Sequence, residues 1–152
     1  MNVSIVPLTP ERFQEFVDLV HALADYEHLE RPSTDAVQRL HADAFGASPR
    51  YQAFLGLLDG VAVGYAITLQ TYSSFLALPT QYLEDLFVLE HARGHGVGGR
   101  LFDHVLDVAR QNGCGRMEWQ VLDWNTLARD FYQRRNATYM REWLLYRITL
   151  EP

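Results

Sequence analysis

The sequence predicts an α/β fold with a mixed β-sheet, in a single domain that spans residues 1–152. The first half of the chain contains strand patterns joined by tight turns, which favours antiparallel pairing. The second half has the order strand, helix, strand, which favours a parallel crossover. The length is enough for one domain with its own core. We therefore expect helices on both faces of the sheet and the element order β-α-α-β-β-β-α-β-α-β.

The first three elements are a short strand and two helices. Residues 4–6 have the strand pattern. Thr9 and Pro10 follow as N-cap and first residue of a helix that extends to about Tyr26. The apolar stripe of this helix has three- and four-residue spacing and consists of Phe13, Phe16, Val17, Val20 and Leu23. A weaker helix pattern starts at residues 32–34 and continues to Phe45.

Three strands come next. Residues 51–58 and 61–69 flank Asp59-Gly60, which is a strong signal for a two-residue hairpin. Residues 72–80 have an irregular pattern. Residues 82–89 form the third strand, and Glu84 and Asp85 alone interrupt its apolar run.

The remaining elements follow a cluster of glycines at residues 94–99. An amphipathic helix comes first and ends at Asn112-Gly113. Its apolar positions are Leu101, Phe102, Val105, Leu106 and Ala109. Residues 116–122 form a strand, Asn125 opens a helix that continues through Tyr132, and residues 143–150 form a closing strand.

The charged residues exclude several chemistries. All 13 basic residues are arginine, so a Schiff-base lysine and a Walker-type phosphate loop are both absent. Residues 1–90 have a net charge of -8, whereas residues 91–152 have a net charge of +2. The first half suits a cationic partner and the second an anionic one. Nucleic acid is not expected as a partner, because binding to the phosphate backbone needs a strongly basic face.

The cysteine count and the hydropathy bear on the compartment. Cys114 is the single cysteine, which excludes an intrachain disulfide and favours a reducing cytoplasm. The N-terminus has no basic start followed by an apolar run, so we expect no secretion signal. No stretch approaches the ~18 apolar residues of a membrane span, so we expect no membrane partner.

The glycine cluster predicts an anion site, because glycines between a strand and a helix let backbone amides converge at the positive helix end. Gly94, Gly96 and Gly99 also satisfy the dinucleotide pattern G-x-G-x-x-G. Four residues separate that pattern from the strand, however, and too little chain follows for a dinucleotide domain. A pyrophosphate-bearing cofactor with a small footprint remains.

The same stretch has the form Arg-x-x-Gly-x-Gly, from Arg93 through Gly96 to Gly98. Together with Asn125 and Tyr132 it resembles the acetyl-CoA site of the GNAT superfamily of N-acetyltransferases. The runs at residues 82–88, 93–98, 124–125 and 131–135 resemble those of the diamine acetyltransferases of the spermidine/spermine type. Residues 23–27 resemble the end of the first helix in those enzymes.

The resemblance implies acetyl-CoA as co-substrate, a homodimer, and a set of site residues. The implied cofactor-binding residues are Leu86, Phe87, Val88, Arg93, Gly94, His95, Gly96, Val97, Gly98, Gly99, Asn125 and Tyr132. The implied substrate-binding residues are Tyr26, Glu27, Glu84, Asp85 and Trp119. Tyr132 is the expected general acid, since a phenol can protonate the departing thiolate. Asn125 is expected to hydrogen-bond the pantetheine arm, although an N-cap role also explains it.

Acetyl transfer to an amine needs a group that accepts the amine's proton, because an alkylamine with a pKa of ~10 is mostly protonated at neutral pH. Glu27, Glu84 and Asp85 are the candidates, directly or through water. Strand alternation predicts opposite faces for Glu84 and Asp85 unless a β-bulge redirects them. We favour Glu84 as the catalytic carboxylate.

The sequence thus predicts an N-acetyltransferase that acts on a small cationic amine, a polyamine or lysine-like amino acid, by direct transfer in a ternary complex. One alternative is a protein lysine or N-terminal acetyltransferase, and another is a non-catalytic acyl-CoA-binding module. No metal site is expected, because His91 and His95 lie on either side of a glycine turn rather than on one helix face.

Overall fold

The computed structural model of the protein describes residues 1–151, which divide into two units. The first unit is Met1–Gln120 and the second begins at Val121. The elements of the first unit are β1 (Val3–Pro7), α1 (Phe13–Tyr26), α2 (Thr34–Phe45), β2 (Gln52–Leu58), β3 (Val61–Ser73), β4 (Leu78–Val88), α3 (Val97–Gln111) and β5 (Arg116–Trp119). The second unit contains α4 (Thr126–Arg134).

The first unit is built on a five-stranded sheet in the order β1-β2-β3-β4-β5. Its first four strands pair antiparallel with their neighbours, and β5 pairs parallel to β4 after the crossover through α3. The predicted α/β class with a mixed sheet is therefore confirmed.

Local sequence signals explain several element boundaries. The Ser33 hydroxyl accepts a hydrogen bond from the amide of Ala36 (3.1 Å) and caps α2, which begins within the predicted range of residues 32–34. Asp59 and Gly60 both have positive φ, 50° and 83°, which is the conformation of a type I′ hairpin turn. Pro10 opens a short 3₁₀ turn, and α1 begins after that turn at Phe13.

Helices cover both faces of the sheet. On one face, Phe16 and Leu19 of α1 pack with buried residues of β2, β3 and β4, which are Ala53, Leu55, Leu57, Tyr65, Ile67 and Phe87. The residues that alternate with these along the strands face α3, whose buried residues are Val97, Leu101, Phe102, Val105 and Ala109.

Two paired glycines bring α3 close to the sheet. Gly56 of β2 lies opposite Gly64 of β3. A Cβ atom on Gly56 would lie 2.5 Å from Val97 Cγ1 of α3, and one on Gly64 would lie 3.4 Å from Leu101 Cδ1 of α3. The first turn of α3 therefore rests directly on backbone, with no side chain between.

The hairpin between β3 and β4 is longer than expected. Residues 72–80 were predicted to be irregular, but the ladder continues to the pair Ser73 and Leu78. The residues here are mostly polar or exposed, so the alternation that identifies a half-buried strand is missing from the sequence.

The carboxyl-terminal part of the chain also differs from expectation. Strand β5 ends at Trp119 rather than at Leu122, and residues 143–150 have no assigned strand. A strand is defined by hydrogen bonds to a neighbouring strand, and within the second unit the described residues contain no other strand to pair with. The predicted closing strand at residues 143–150 is therefore wrong, because an apolar pattern alone does not supply the neighbouring strand that pairing needs. In the described chain, no helix has the length and apolar character to cross a membrane.

Candidate active site

Strand β4 contains a β-bulge at Glu84. Asp85 pairs with Ile67 and Leu83 pairs with Thr68, so Glu84 has no opposite residue on β3. A bulge interrupts strict alternation and redirects neighbouring side chains. With this extra residue, strand alternation no longer requires Glu84 and Asp85 to point to opposite faces of the sheet.

Asp85 is held by a tyrosine from the neighbouring strand. The Tyr65 hydroxyl donates a hydrogen bond to Asp85 Oδ2 (2.9 Å), and Tyr65 is fully buried between α1 and the sheet. The pKa of Asp85 is raised to about 6: burial is the largest cause, the Tyr65 hydrogen bond lowers the pKa, and the negative charges of Glu84 and Glu27 raise it. The pKa of Tyr65 lies well above its ordinary value for the same reasons, burial first and then the Asp85 charge.

Glu27 contributes a third carboxylate from the end of α1. It is the C-cap residue of that helix, and His28 then takes a left-handed conformation with φ 58°. Burial raises the pKa of Glu27. The end of α1 meets β4 here, where the ring centroids of Tyr26 and Phe87 lie 6.0 Å apart, and the charges of Glu27, Glu84 and Asp85 all raise the pKa of Tyr65. We call these three residues the acidic cluster.

The acidic cluster suits a cation for a second reason. The carboxyl end of a helix has a partial negative charge from its unpaired carbonyls. Glu27 lies at that end of α1, where no basic side chain is present in the last turn. Both the side chains and the backbone therefore favour a positively charged ligand.

Tyr26 and Arg93 form a stacked pair beside the acidic cluster. The guanidinium carbon of Arg93 lies 5.1 Å from the centroid of the Tyr26 ring and 5.8 Å from that of Phe87. Arg93 Nε donates to the Val88 carbonyl oxygen (3.0 Å). These contacts attach the Arg93 side chain to β4 and α1. Its expected role toward the cofactor stays a prediction.

The glycine loop, residues 93–99, leads from β4 into α3. Gly94 and Gly96 have φ values of 86° and 84°, where a side chain is strained, and no atom lies within 4 Å of a Cβ built on either. Gly96 is the N-cap of α3, and no side chain caps the helix. The first turn contains no acidic residue. Its unpaired amides and open surroundings fit the diphosphate of coenzyme A.

Beside this loop, one edge of β4 has no pairing partner from β5. The parallel ladder with β5 ends at the pair Leu83 and Trp119, so none of the described β5 residues pairs with residues 84–88. An extended ligand can hydrogen-bond to such an edge as a strand does. This is the stretch that contains Leu86, Phe87 and Val88, the residues expected to bind pantetheine.

Trp119 lies at the end of β5, and its ring meets Phe102 of α3 edge-on, with centroids 5.3 Å apart. This contact belongs to the packing of α3 against the sheet. The expected contact between Trp119 and substrate stays a prediction.

The second unit holds the remaining expected site residues. The Asn125 side chain caps α4 by accepting a hydrogen bond from the amide of Ala128 (3.2 Å). Tyr132 lies on the same helix, two turns later, with its ring edge-on to Phe131 at 5.5 Å. Asn136 takes a left-handed conformation with φ 62° after the helix, as its residue type allows. The structure thus shows the N-cap role of Asn125, and its role toward pantetheine stays a prediction.

Sequence reasoning missed Tyr65. Its position in an alternating apolar strand indicates a core residue, which it is, and nothing in the sequence identifies Asp85 as the partner of its hydroxyl. Only the register of β3 on β4 reveals that pair.

The profile of the acetyltransferase (GNAT) family matches residues 17–137. The chain belongs to this family. It is accordingly an acetyl-CoA-dependent N-acetyltransferase, as the glycine loop and the β4 pattern predicted. In the described residues of this GNAT protein, no group of three or more potential side-chain ligands could hold a metal ion.

Relatives of this GNAT chain act on amines. Thialysine N-ε-acetyltransferase from Bos taurus is 32% identical over 132 residues, which is 82% of this chain and 77% of that protein. L-ornithine N5-acetyltransferase from Arabidopsis thaliana is 41% identical over 93 residues, 61% of this chain and 41% of that protein. Among solved structures, an aminoglycoside N-acetyltransferase in complex with CoA shares the fold with a TM-score of 0.80 and 22% identity, over 98% of this chain and 96% of that one.

Proposed function

We propose that residues 1–152 work as one domain that transfers the acetyl group of acetyl-CoA to the primary amine of a small cationic substrate. The observation that supports this most directly is the acidic cluster, because carboxylates from the β4 bulge and from the adjoining end of α1 attract a cation and disfavour an anion. Relatives named for thialysine and ornithine, both amino acids with a side-chain amine, support a diamine, polyamine or lysine-like substrate.

Asp85 is our choice for the group that accepts the amine's proton, although the sequence alone favoured Glu84. A base works best when its pKa lies near the operating pH. The pKa of Asp85 is raised to about 6, and its carboxylate is held in place by Tyr65. Glu84 is more exposed than Asp85, and with Glu27 it would attract the cation without taking its proton.

The glycine loop, β4 and α4 would bind the cofactor and complete the transfer. Backbone amides from Gly94 to Gly99 would bind the diphosphate, and the edge of β4 beside the glycine loop would bind pantetheine and polarise the thioester carbonyl. Tyr132 would donate the proton to the departing thiolate. Support for this role is its position in a run that resembles the family's, two helical turns after the N-cap Asn125.

Two further properties belong to the same proposal. A cytoplasmic location is supported by the single free cysteine, and the homodimer implied by the resemblance can be tested by sedimentation.

The deciding experiment is thiol release from acetyl-CoA with a panel of acceptors. The panel contains a diamine, spermidine, ornithine, lysine, thialysine and a lysine-containing peptide. We expect turnover with at least one small amine and a kcat/KM at least tenfold higher than for the peptide. A preference for the peptide would support a protein acetyltransferase, and no release with any amine would support a binding module.

The pH profile is a second test of the mechanism. If Asp85 takes the proton from a bound ammonium group, kcat/KM for the amine is flat between the pKa of Asp85, about 6, and that of the amine, ~10. If the enzyme relies on amine that is already neutral, kcat/KM rises tenfold per pH unit across that range.

A further inference from the structure

A chain of polar side chains, two of them buried and one partly buried, lies directly behind the bulge. Thr68 Oγ1 donates a hydrogen bond to the carbonyl oxygen of Tyr82 (2.7 Å), two residues before Glu84. Gln81 Nε2 donates to Thr68 Oγ1 (2.6 Å), and Cys114 Sγ donates to Gln81 Oε1 (3.5 Å). We call the side chains of Thr68, Gln81 and Cys114 the support chain.

The hydrogen bonds of the support chain all run in one direction, from Cys114 through Gln81 and Thr68 to the Tyr82 carbonyl oxygen, which fixes the orientation of the Gln81 amide. Its two inner members are shielded from water. Thr68 is 0% exposed and Gln81 is 1% exposed. Removing one member would leave a buried donor or acceptor unpaired, which costs more than the hydrogen bond itself.

The support chain and the acidic cluster lie on opposite faces of the sheet. Ile67 and Tyr65 belong to the core on the α1 side, so Thr68 points to the other face by strand alternation. Thr68 is also the residue at which the register of β3 on β4 shifts. Its hydroxyl therefore donates a hydrogen bond to the β4 backbone close to the point where the regular ladder is interrupted.

We propose that Thr68 and Gln81 are positioning residues that hold the β4 bulge and thereby aim Glu84 and Asp85 at the amine. This inference rests on the proposed function. Without the Thr68 hydroxyl, the Tyr82 carbonyl loses its side-chain donor, and β4 can shift by one residue toward regular pairing. Such a shift would turn Glu84 and Asp85 to opposite faces.

The experiment compares three threonine variants in the full chain. Thr68→Val keeps the shape and removes the hydroxyl, whereas Thr68→Ser keeps the hydroxyl. Thr80→Val is the matched control, because Thr80 lies on β4, is 2% exposed, and its hydroxyl accepts a hydrogen bond from Arg116 away from the bulge. Each variant is assayed for KM and kcat with amine and with acetyl-CoA.

We expect Thr68→Val to lower kcat/KM for the amine about tenfold, with the KM for acetyl-CoA within about twofold of wild type. Thr68→Ser should retain the wild-type values, and so should Thr80→Val. Equal effects of Thr68→Val and Thr80→Val, or equal losses for both substrates, would overturn the proposal.

A measurement without turnover separates this proposal from the proposed function. The Asp85 carboxyl is titrated by carbon NMR in wild type and variants. Thr68→Val should lower the titration midpoint by at least half a pH unit, because a displaced carboxyl gains water, and Thr80→Val should not. An unchanged midpoint overturns the positioning role even if the enzyme proves inactive toward amines. If Thr68→Val does not fold, Gln81→Met makes the same test, since it removes the amide and keeps the length.

Discussion

The acidic cluster and the glycine loop are suited to opposite charges by different means. The acidic cluster uses side chains, three carboxylates at the carboxyl end of α1 and on the β4 bulge. The glycine loop uses backbone amides at the amino end of α3, which follow a turn in which Gly94 and Gly96 have positive φ. The amine side therefore depends on residue identity, and the cofactor side depends on backbone conformation. Substitutions in the acidic cluster should therefore change the kinetics with the amine, and substitutions in the glycine loop should change the kinetics with acetyl-CoA.

Among the variants that test this comparison, Asp85→Asn has the largest expected effect on activity, because it removes the proton acceptor and keeps the shape of the side chain. We expect kcat/KM for the amine to fall about 100-fold and the break in the pH profile near 6 to disappear. Thiol release from pH 5 to 9 measures both. Asp59→Asn is the control, since Asp59 also accepts a hydrogen bond, from the amide of Asn2, but lies in the β2–β3 hairpin. Activity within threefold of wild type would remove Asp85 from the role of base.

Tyr132→Phe tests a residue that neither region contains. Loss of the general acid should lower kcat by about 10- to 100-fold, with little change in the KM for acetyl-CoA. Tyr139→Phe, in the same unit, is the control for loss of a tyrosine hydroxyl. Full activity of the Tyr132 variant would assign the proton to another donor.

Gly96→Ala tests the cofactor side. A Cβ at φ 84° strains the turn and displaces the first amides of α3, so the KM for acetyl-CoA should rise about tenfold while the KM for the amine stays the same. Gly60→Ala is matched to it, with φ 83° and open space around it, but it lies in the β2–β3 hairpin. If both variants raise the KM for acetyl-CoA equally, the effect is general strain, and the glycine loop loses its assigned part in cofactor binding.

The remaining expected effect of Asp85→Asn is on the free energy of unfolding rather than on activity. The folded state raises the pKa of Asp85 to about 6, so it binds that proton more tightly than the unfolded chain does. The contribution of Asp85 to stability therefore falls as the pH rises from the ordinary carboxyl range to about 6, and the loss is complete above it. Asp85→Asn should be more stable than wild type by up to about 3 kcal/mol at pH 8, since each unit of pKa difference corresponds to about 1.4 kcal/mol, and equal to it near pH 4. Urea unfolding at both pH values measures this, and a less stable variant at pH 8 would contradict it.

Much of the fold follows from local signals in the sequence. The Asp59-Gly60 turn, the Ser33 cap and the glycine at the start of α3 determine structure within a few residues. The apolar stripes of α1 and α3 likewise identify the faces that are buried. Signals of this kind can be interpreted without knowing which residues pair on neighbouring strands.

The parts of the site that were not predictable depend on pairing between distant residues. The bulge at Glu84 arises from the register of β3 on β4, and no glycine or proline marks it in the sequence. The Tyr65–Asp85 and Gln81–Thr68 hydrogen bonds join residues 20 and 13 positions apart. Such contacts exist only once the register is fixed, so the choice between Glu84 and Asp85 required the structure.

Gly56 and Gly64 have a consequence for how the cofactor binds. Because α3 rests on their backbone, the helix has no clearance in which to rock against the sheet, and lifting it would open a void that no side chain fills. The amides at its amino end are thus already ordered before an anion arrives. A preformed site loses little conformational entropy on binding, so most of the gross attraction for the diphosphate is retained as affinity.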